Sequence, residues 1–486
     1  MLIAVPPRLR SLDGRWLAVA LCALPMAVLG WARLRLQLPM GDEPHYLAVS
    51  QALLRYGSLD VQRVYDHADY WTYYPMWLEP HVSPGPDGQP LPLHSIGGPV
   101  LWLVPFALGG RAGVVAFMTV VSLLVVANIH RLVRLLGGND RLAVLVAVAF
   151  GIGTPLLTYA GMSFVEPLGA LGCVYALRLL HEPRLRPRDL LLVSAALGAL
   201  PWIHSRFLLF PPIFLALFAV RVLREREPGT RARLLCALGP AVALLAGLVF
   251  YNALVWGTVG LAANQVNAGA VPFTAAPWRA LVGVALDQEV GVIPNFPVLV
   301  IALAGLLVAG RRHRALTLHV AAVVVPYVLV VTSFPAWDGA WSPPARFLAV
   351  VLPMLAGHVA LALRGARPVV VVASVVLVVI GGALTAIAVA TDSGGFSAQS
   401  GISPALARVD ALLGLDLTPW VPSLPAPGQA PLFTAWGVTT ALVALLVAAP
   451  VSRPTPIGQR GPWTWRARRD AAPGRAGRAA RAPSPP

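Results

Sequence analysis

The sequence predicts an all-α polytopic membrane protein with about twelve transmembrane helices and a long first loop whose helices lie along the membrane surface. Three observations carry this. The 486 residues are 57% hydrophobic and only 12% charged, where a soluble domain is about a quarter charged, and mean hydropathy is +0.71. Apolar runs of membrane-crossing length recur along almost the whole chain. The basic residues, all arginine, gather in the short stretches between those runs and in the tail, as the loops on the cytoplasmic side of a membrane protein do. The net charge of +16 therefore reads as membrane orientation and excludes nucleic acid as a partner. Cys22, Cys173 and Cys236 all sit inside apolar runs and read as small buried hydrophobes, not as a disulfide framework or a metal site.

Arg8, Arg10 and Arg15 precede the first run, residues 16–34, and assign the N-terminus to the cytoplasm. The run is too long for a signal peptide and lacks a small-residue cleavage site, so it is a retained helix. Its exit at Arg33-Leu34-Arg35 goes against the charge rule. Residues 37–111 form the long external loop. It holds an amphipathic helix over 44–56, a tract rich in Asp, Tyr and Trp over 65–79, and a turn-rich piece, Ser83-Pro84-Gly85-Pro86-Asp87-Gly88. It ends in an apolar piece, 95–110, broken by Pro99 and Pro105.

Whether 95–110 crosses decides the topology. If it crosses, Arg131, Arg134 and Arg141 fall outside and the later basic loops invert as well. If it only dips into the membrane, spans follow near 113–129, 142–159, 165–180, 190–203, 207–220, 234–255, 292–308, 316–331, 347–363, 369–388 and 433–449. The basic loops at 131–141, 184–188, 221–233, 311–314 and 364–367 then all lie inside, with both termini. The re-entrant reading is therefore the expected one. The last external loop, 391–431, is rich in Gly, Pro and Ser and is expected to be partly mobile. Residues 1–450 form one transmembrane domain, and 451–486 a basic, Pro- and Ala-rich disordered tail lying against anionic lipid.

The external ends of the spans collect the chemistry. Gly41-Asp42-Glu43-Pro44-His45-Tyr46-Leu47 puts two carboxylates at the membrane edge directly after the first span, with Asp42 also suited to cap the helix that Pro44 starts. Adjacent acids in a poorly solvated site raise one another's pKa, which suits one of them to proton transfer. Glu166 stands at the start of another span, where a first-turn acid is also favoured by the helix dipole. Carboxylates here can act as a base or hold a divalent cation, leaving open a metal at Asp42 and Glu166. Arg206 and Arg346 are external arginines directly before Phe, and guanidinium forks bind phosphate. His45, His81 and His94 lack metal-ligand spacing and read as loop histidines. Trp71, Trp77, Trp337 and Trp341 read as interfacial belt residues.

These stretches together resemble the GT-C superfamily of membrane glycosyltransferases, in particular its protein O-mannosyltransferase and aminoarabinose-transferase-like branch. The resemblance rests on the Gly41–Leu47 motif, on Pro92-Leu93-His94-Ser95-Ile96-Gly97-Gly98-Pro99, on Glu166-Pro167 and on Trp341-Ser342-Pro343-Pro344-Ala345-Arg346-Phe347, and extends to about residue 363. It implies sugar transfer, with inversion, from a polyprenyl-phosphate carrier to a hydroxyl on a glycan, lipid or protein acceptor, at the external face of the plasma membrane. It implies Asp42 as catalytic acid/base, with Glu43 and Glu166 beside it. Arg206 and Arg346 would bind the donor phosphate, since the chain has no lysine, and His45, Tyr46 and His94 would line the substrate site. The reading from a different class is a multi-pass lipid or solute transporter. It lacks the support of an internal repeat, and the acids cluster at one face, not mid-span. A non-catalytic scaffold would keep the spans and tolerate loss of Asp42.

Overall fold

The computed structural model describes residues 13–449 except 268, 270–275 and 311–312; the expected tail, Arg8, Arg10 and the Arg311-Arg312 pair lie outside the described residues. Seven helices there are long and apolar enough to cross a membrane: Gly14–Leu36, Leu103–Leu135, Ser205–Glu225, Thr230–Trp256, Arg314–Thr332, Pro368–Val389 and Ala430–Ala448. The other expected spans are present as shorter or interrupted helices. Asp140–Ile152 gives way to Pro155–Ala160, where Thr154 accepts from Leu156 N and Pro155 starts the new helix. Glu166–Leu180 and Pro187–Ile203 are continuous. Pro297–Leu299 leads into Val300–Ala309, and the 3-10 turns Phe347–Val350 and Leu352–Leu355 lead into Ala356–Leu363. The architecture is all-α and polytopic, and the chain is a multi-pass membrane protein.

The piece expected to be re-entrant is broken into short helices. Gly97–Leu101 is a single short helix, and the helix beginning at Leu103 breaks at Gly109 and Gly110 before the span proper runs on to Leu135. At 1.5 Å per residue, residues 97–108 together reach only about 18 Å, short of a bilayer core of about 30 Å. The rest of the first loop packs as the Glu43–Tyr56 helix, the Gln62–Asp66 helix and a short antiparallel hairpin pairing Val82 with Pro92 and Pro84 with Pro90. Residues 391–431, expected to be partly mobile, are tied down instead. Glu289 accepts from Ala398 N and Gly401 N, Asp287 accepts from Leu424 N, and Gln288 donates to Val421 O. Those clamp residues lie more than a hundred positions away, so loop composition could not reveal them.

Outward faces are apolar, with Leu24, Trp31, Leu235, Phe250 and Leu254 exposed. Contacts between spans rely on small residues: a Cβ on Gly198 would lie 2.6 Å from Ala241 Cα. The loops segregate into two sets at the two ends of the bundle. One set is knitted by arginines: Arg131 pairs with Glu182, Arg221 donates to Leu179 O, Arg233 donates to Leu185 O and Arg364 reaches Gly137 O. The other set contains the first loop, Glu166, Arg206, 287–291, 337–346 and 391–431.

Candidate active site

Gly41 sets the geometry of the first acid. Its φ is +57°, and a Cβ there would lie 2.3 Å from Trp341 O, so the first loop and the 337–346 loop touch backbone to backbone. The second loop is itself sharply bent, with Gly339, Ala340 and Ala345 all at positive φ. Left-handed backbone at an alanine costs on the order of 1 kcal/mol or more, and surrounding contacts hold it. Tyr159 Oη donates to Pro343 O at 2.7 Å, Ala345 N to Val290 O at 3.0 Å and Ser397 N to Ser342 O at 3.0 Å.

That frame aims Arg346 at both acids. Its Nη2 pairs with Asp42 Oδ2, its Nε donates to Glu166 Oε1 at 3.0 Å and its Nη1 to Gly339 O at 3.3 Å. Arg206 Nη2 donates to the same Glu166 oxygen at 2.7 Å. Phe164 lies under Arg346 at 4.6 Å and Phe347 under Arg206 at 4.2 Å. Glu166 is fully buried and its Oε2 has no hydrogen-bond partner among the described residues, while the Asp42 side chain remains 24% exposed. Asp42, Glu166, Arg206 and Arg346, expected separately as acid/base, acid and phosphate ligands, are thus one network drawn from four stretches of chain.

Two expectations about Asp42 change. Its side chain does not cap the following helix; the carboxylate is committed to Arg346 instead. Its pKa is not raised. Burial pushes it up, but the Arg346 guanidinium outweighs burial, and the carboxyl is held well below the usual range. Glu43, its neighbour, faces elsewhere. Its Oε1 accepts from Ser163 N at 2.7 Å and its Oε2 from Met40 N at 3.3 Å, both backbone donors.

The histidines of the first loop form a stack. His45 lies 3.5 Å from His81, nearly parallel, and bonds Tyr65 Oη through Nδ1 at 3.0 Å. His81 Nδ1 and His94 Nε2 are 3.4 Å apart, and both rings come within ligand reach of an Asp42 carboxylate oxygen. Burial pushes the His94 imidazole down to about 4 and His45 down to about 2. Tyr46 is fully buried between His94 and Trp102, and its hydroxyl has no protein partner. His94 also forms part of the wall of a cavity of about 320 Å³, with Trp202, Tyr251, Trp256 and Asn252 also lining it. Sequence spacing hid this gathering, because His45, His81 and His94 belong to three separate pieces of one loop. Trp71, Trp77 and Trp341 are exposed, as belt residues require, whereas Trp337 is partly buried and approaches Gly283.

The Arg346 guanidinium bonds both Asp42 and Glu166. Asp42, His81 and His94 do bring three ligand atoms within 4.8 Å of one another. The two facing imidazole nitrogens are separated by about the 3.3 Å expected for two ligands of a tetrahedral ion at roughly 2.0–2.1 Å.

Over 88% of its length the chain superimposes on 76% of the crystal structure of ArnT from Cupriavidus metallidurans in the apo state, with a TM-score of 0.50 and 15% sequence identity. The chain shares its fold with that structure. The apo oligosaccharyltransferase of Archaeoglobus fulgidus is a more distant similarity, with a TM-score of 0.43 and 14% identity over 76% of this chain and 52% of that one. No protein-family model and no curated protein sequence matches the chain. Within this fold, the Asp42 network lies at one end of the bundle, where the first loop meets the loops before Glu166, Arg206 and Arg346.

Proposed function

We propose that the chain transfers a sugar from a polyprenyl-phosphate carrier to an acceptor hydroxyl, with inversion, and that Asp42 is the general base. The observation that carries this reading is the convergence of Asp42, Glu166, Arg206 and Arg346 on one partly open site beside an aromatic-walled cavity. A transporter has no need of a partly exposed carboxylate tied through Arg346 and Glu166 to a second arginine at the mouth of such a site.

The acceptor oxygen attacks the anomeric carbon, the bond from that carbon to the phosphate oxygen breaks, and the electron pair leaves with polyprenyl phosphate. The acceptor proton passes to Asp42. Paired with Arg346, Asp42 is a poor base. A donor phosphate entering between the arginines competes for Arg346, and the carboxylate regains proton affinity as that bond weakens. Base strength and donor binding are thereby linked. Arg206 and Arg346 stabilise the charge on the departing phosphate, and Glu166 keeps both guanidinium groups aimed at it. Glu43 has a positioning role, holding Met40 and Ser163 so that Asp42 faces the site. His94 and the tryptophans of the neighbouring cavity contact sugar or carrier, with His45 and Tyr46 supporting them from behind. If a divalent ion takes part, Asp42, His81 and His94 would hold it, and it would supply positive charge to the phosphate. The site would lie on the external face of the plasma membrane, with both termini and the basic tail, 451–486, in the cytoplasm.

The test is transfer of labelled sugar from polyprenyl phosphate in membranes carrying the protein. Asp42→Asn is expected to reduce transfer roughly a hundredfold or more. A parent protein that moves the carrier across the bilayer without releasing polyprenyl phosphate would overturn the proposal in favour of transport.

A further inference from the structure

Three arginines are buried among the described residues: Arg33, Arg233 and Arg346. Arg233 holds Glu225 and Glu227, and Arg346 holds Asp42 and Glu166. Arg33, 3% exposed, has no carboxylate within ion-pair distance among the described residues. It spends one nitrogen, Nη1, on two neutral acceptors, Gln37 Oε1 and Gly394 O, each at 3.2 Å. Glu43 acts on it only at longer range and already bonds two backbone N–H groups, while Arg111 adds a second positive charge. A buried cation is best stabilised by a negative charge close by, and here the nearest carboxylate is already bonded elsewhere.

The place for one is next to it. Arg33 lines a cavity of about 360 Å³ together with Thr158, Thr385, Leu384, Ala388 and Phe296. Among the described residues the Thr158 hydroxyl has no hydrogen-bond partner, so it has a donor to offer. The cavity is separate from the Asp42 network. Pro343 and Pro344 line it, while Arg346, on the same loop, turns to Asp42 and Glu166. Arg33 stands in the last turn of Gly14–Leu36, and Leu384, Thr385 and Ala388 in the last turns of Pro368–Val389, at the level where lipid headgroups meet the protein. The lining combines a cation and hydroxyl groups with aliphatic and aromatic groups.

We propose that this cavity is a second anion site, in which Arg33 and Thr158 bind a phosphate carried on an apolar body. A fork of guanidinium N–H groups takes two phosphate oxygens, and the hydroxyl takes a third. A lipid headgroup and free phosphate share this chemistry. The full-length protein in detergent is titrated with dihexanoyl phosphatidate, inorganic phosphate and dihexanoylglycerol, and binding is read from tryptophan fluorescence. Phosphatidate is expected to bind the parent. Its affinity is expected to fall at least tenfold in Arg33→Gln, which keeps side-chain donors for Gly394 but not the charge, and in Ala388→Phe, which keeps the charge but fills the cavity. Dihexanoylglycerol is expected not to bind. Inorganic phosphate binding as tightly as phosphatidate, with the same loss in Arg33→Gln, supports the site and assigns it to the free anion. Unchanged phosphatidate binding in both variants, or none to the parent, overturns the proposal. The first of these outcomes would send the phosphate to Arg206 and Arg346.

Discussion

Arg346 touches both acids of the site, so its removal has two separable consequences. Arg346→Ala leaves Asp42 without its partner and Glu166 with Arg206 alone. Breaking a buried pair in this way costs roughly 3–5 kcal/mol. Thermal unfolding in detergent should therefore fall markedly, along with sugar transfer. Arg346→Lys restores the charge but not the fork that serves Asp42, Glu166 and Gly339 together. It is expected to recover most of the unfolding temperature and little of the transfer; equal recovery of both would deny the fork a role. The neighbouring acids separate in the opposite sense. Glu43→Gln keeps one acceptor oxygen for two backbone donors and should cost about 1–2 kcal/mol of stability. Asp42→Asn should leave unfolding near the parent, because Arg346 keeps Glu166, and remove transfer. The sequence made both acids visible as candidates but not their division of labour. Adjacent helical side chains point about 100° apart, and which of the two meets an arginine depends on residues 304 positions away.

Helices were readable from their apolar runs, because that signal is local, but the interruptions at Pro155 and Pro353 fall inside runs expected as single spans. Contacts between loops were not readable, since loop residues carry no periodicity that reports a partner. The histidine stack, the clamp of 391–431 by Asp287, Gln288 and Glu289, and the cavity at Arg33 all belong to this class. Gly41 allows the loop contact to be tested directly. Gly41 and Gly57 both have positive φ, +57° and +60°, but a Cβ on Gly57 meets nothing within 4 Å, whereas one on Gly41 meets Trp341 O. Gly57→Ala should cost only the left-handed backbone term, about 1 kcal/mol, and leave transfer intact. Gly41→Ala pays the same term and also forces the first loop away from the 337–346 loop. It is expected to lower transfer at least tenfold, since the proposed base and Arg346 separate by the same movement. Equal transfer in the two variants would show that the loops need not touch for activity.

At the scale of the whole molecule, the two sets of loops make sidedness a single question. Arg131, Arg221, Arg233 and Arg364 bind loops of one end, so these arginines share one face of the membrane whatever the direction of insertion. The Asp42 network, the hairpin at 82–92 and the 391–431 loop share the other. The break at Gly109 and Gly110 matters here: one extra crossing in the first loop would have put Arg131 and Asp42 on the same side. Arginine is held on the cytoplasmic side during insertion, so the arginine-rich end should be internal and the Asp42 end external. Single cysteines test this at exposed positions, Asp87 at the tip of the hairpin and Asn139 between the spans that Arg131 and Arg141 flank. Cys22 and Cys173 are buried and Cys236 is partly buried, which keeps the parent's background low. A membrane-impermeant maleimide applied to intact cells should label Asp87→Cys at once and Asn139→Cys only after permeabilisation. Labelling of Asn139→Cys from outside would invert the molecule and move the proposed site to the cytoplasmic face. Labelling of both from outside would mean that the piece ahead of Gly109 crosses after all.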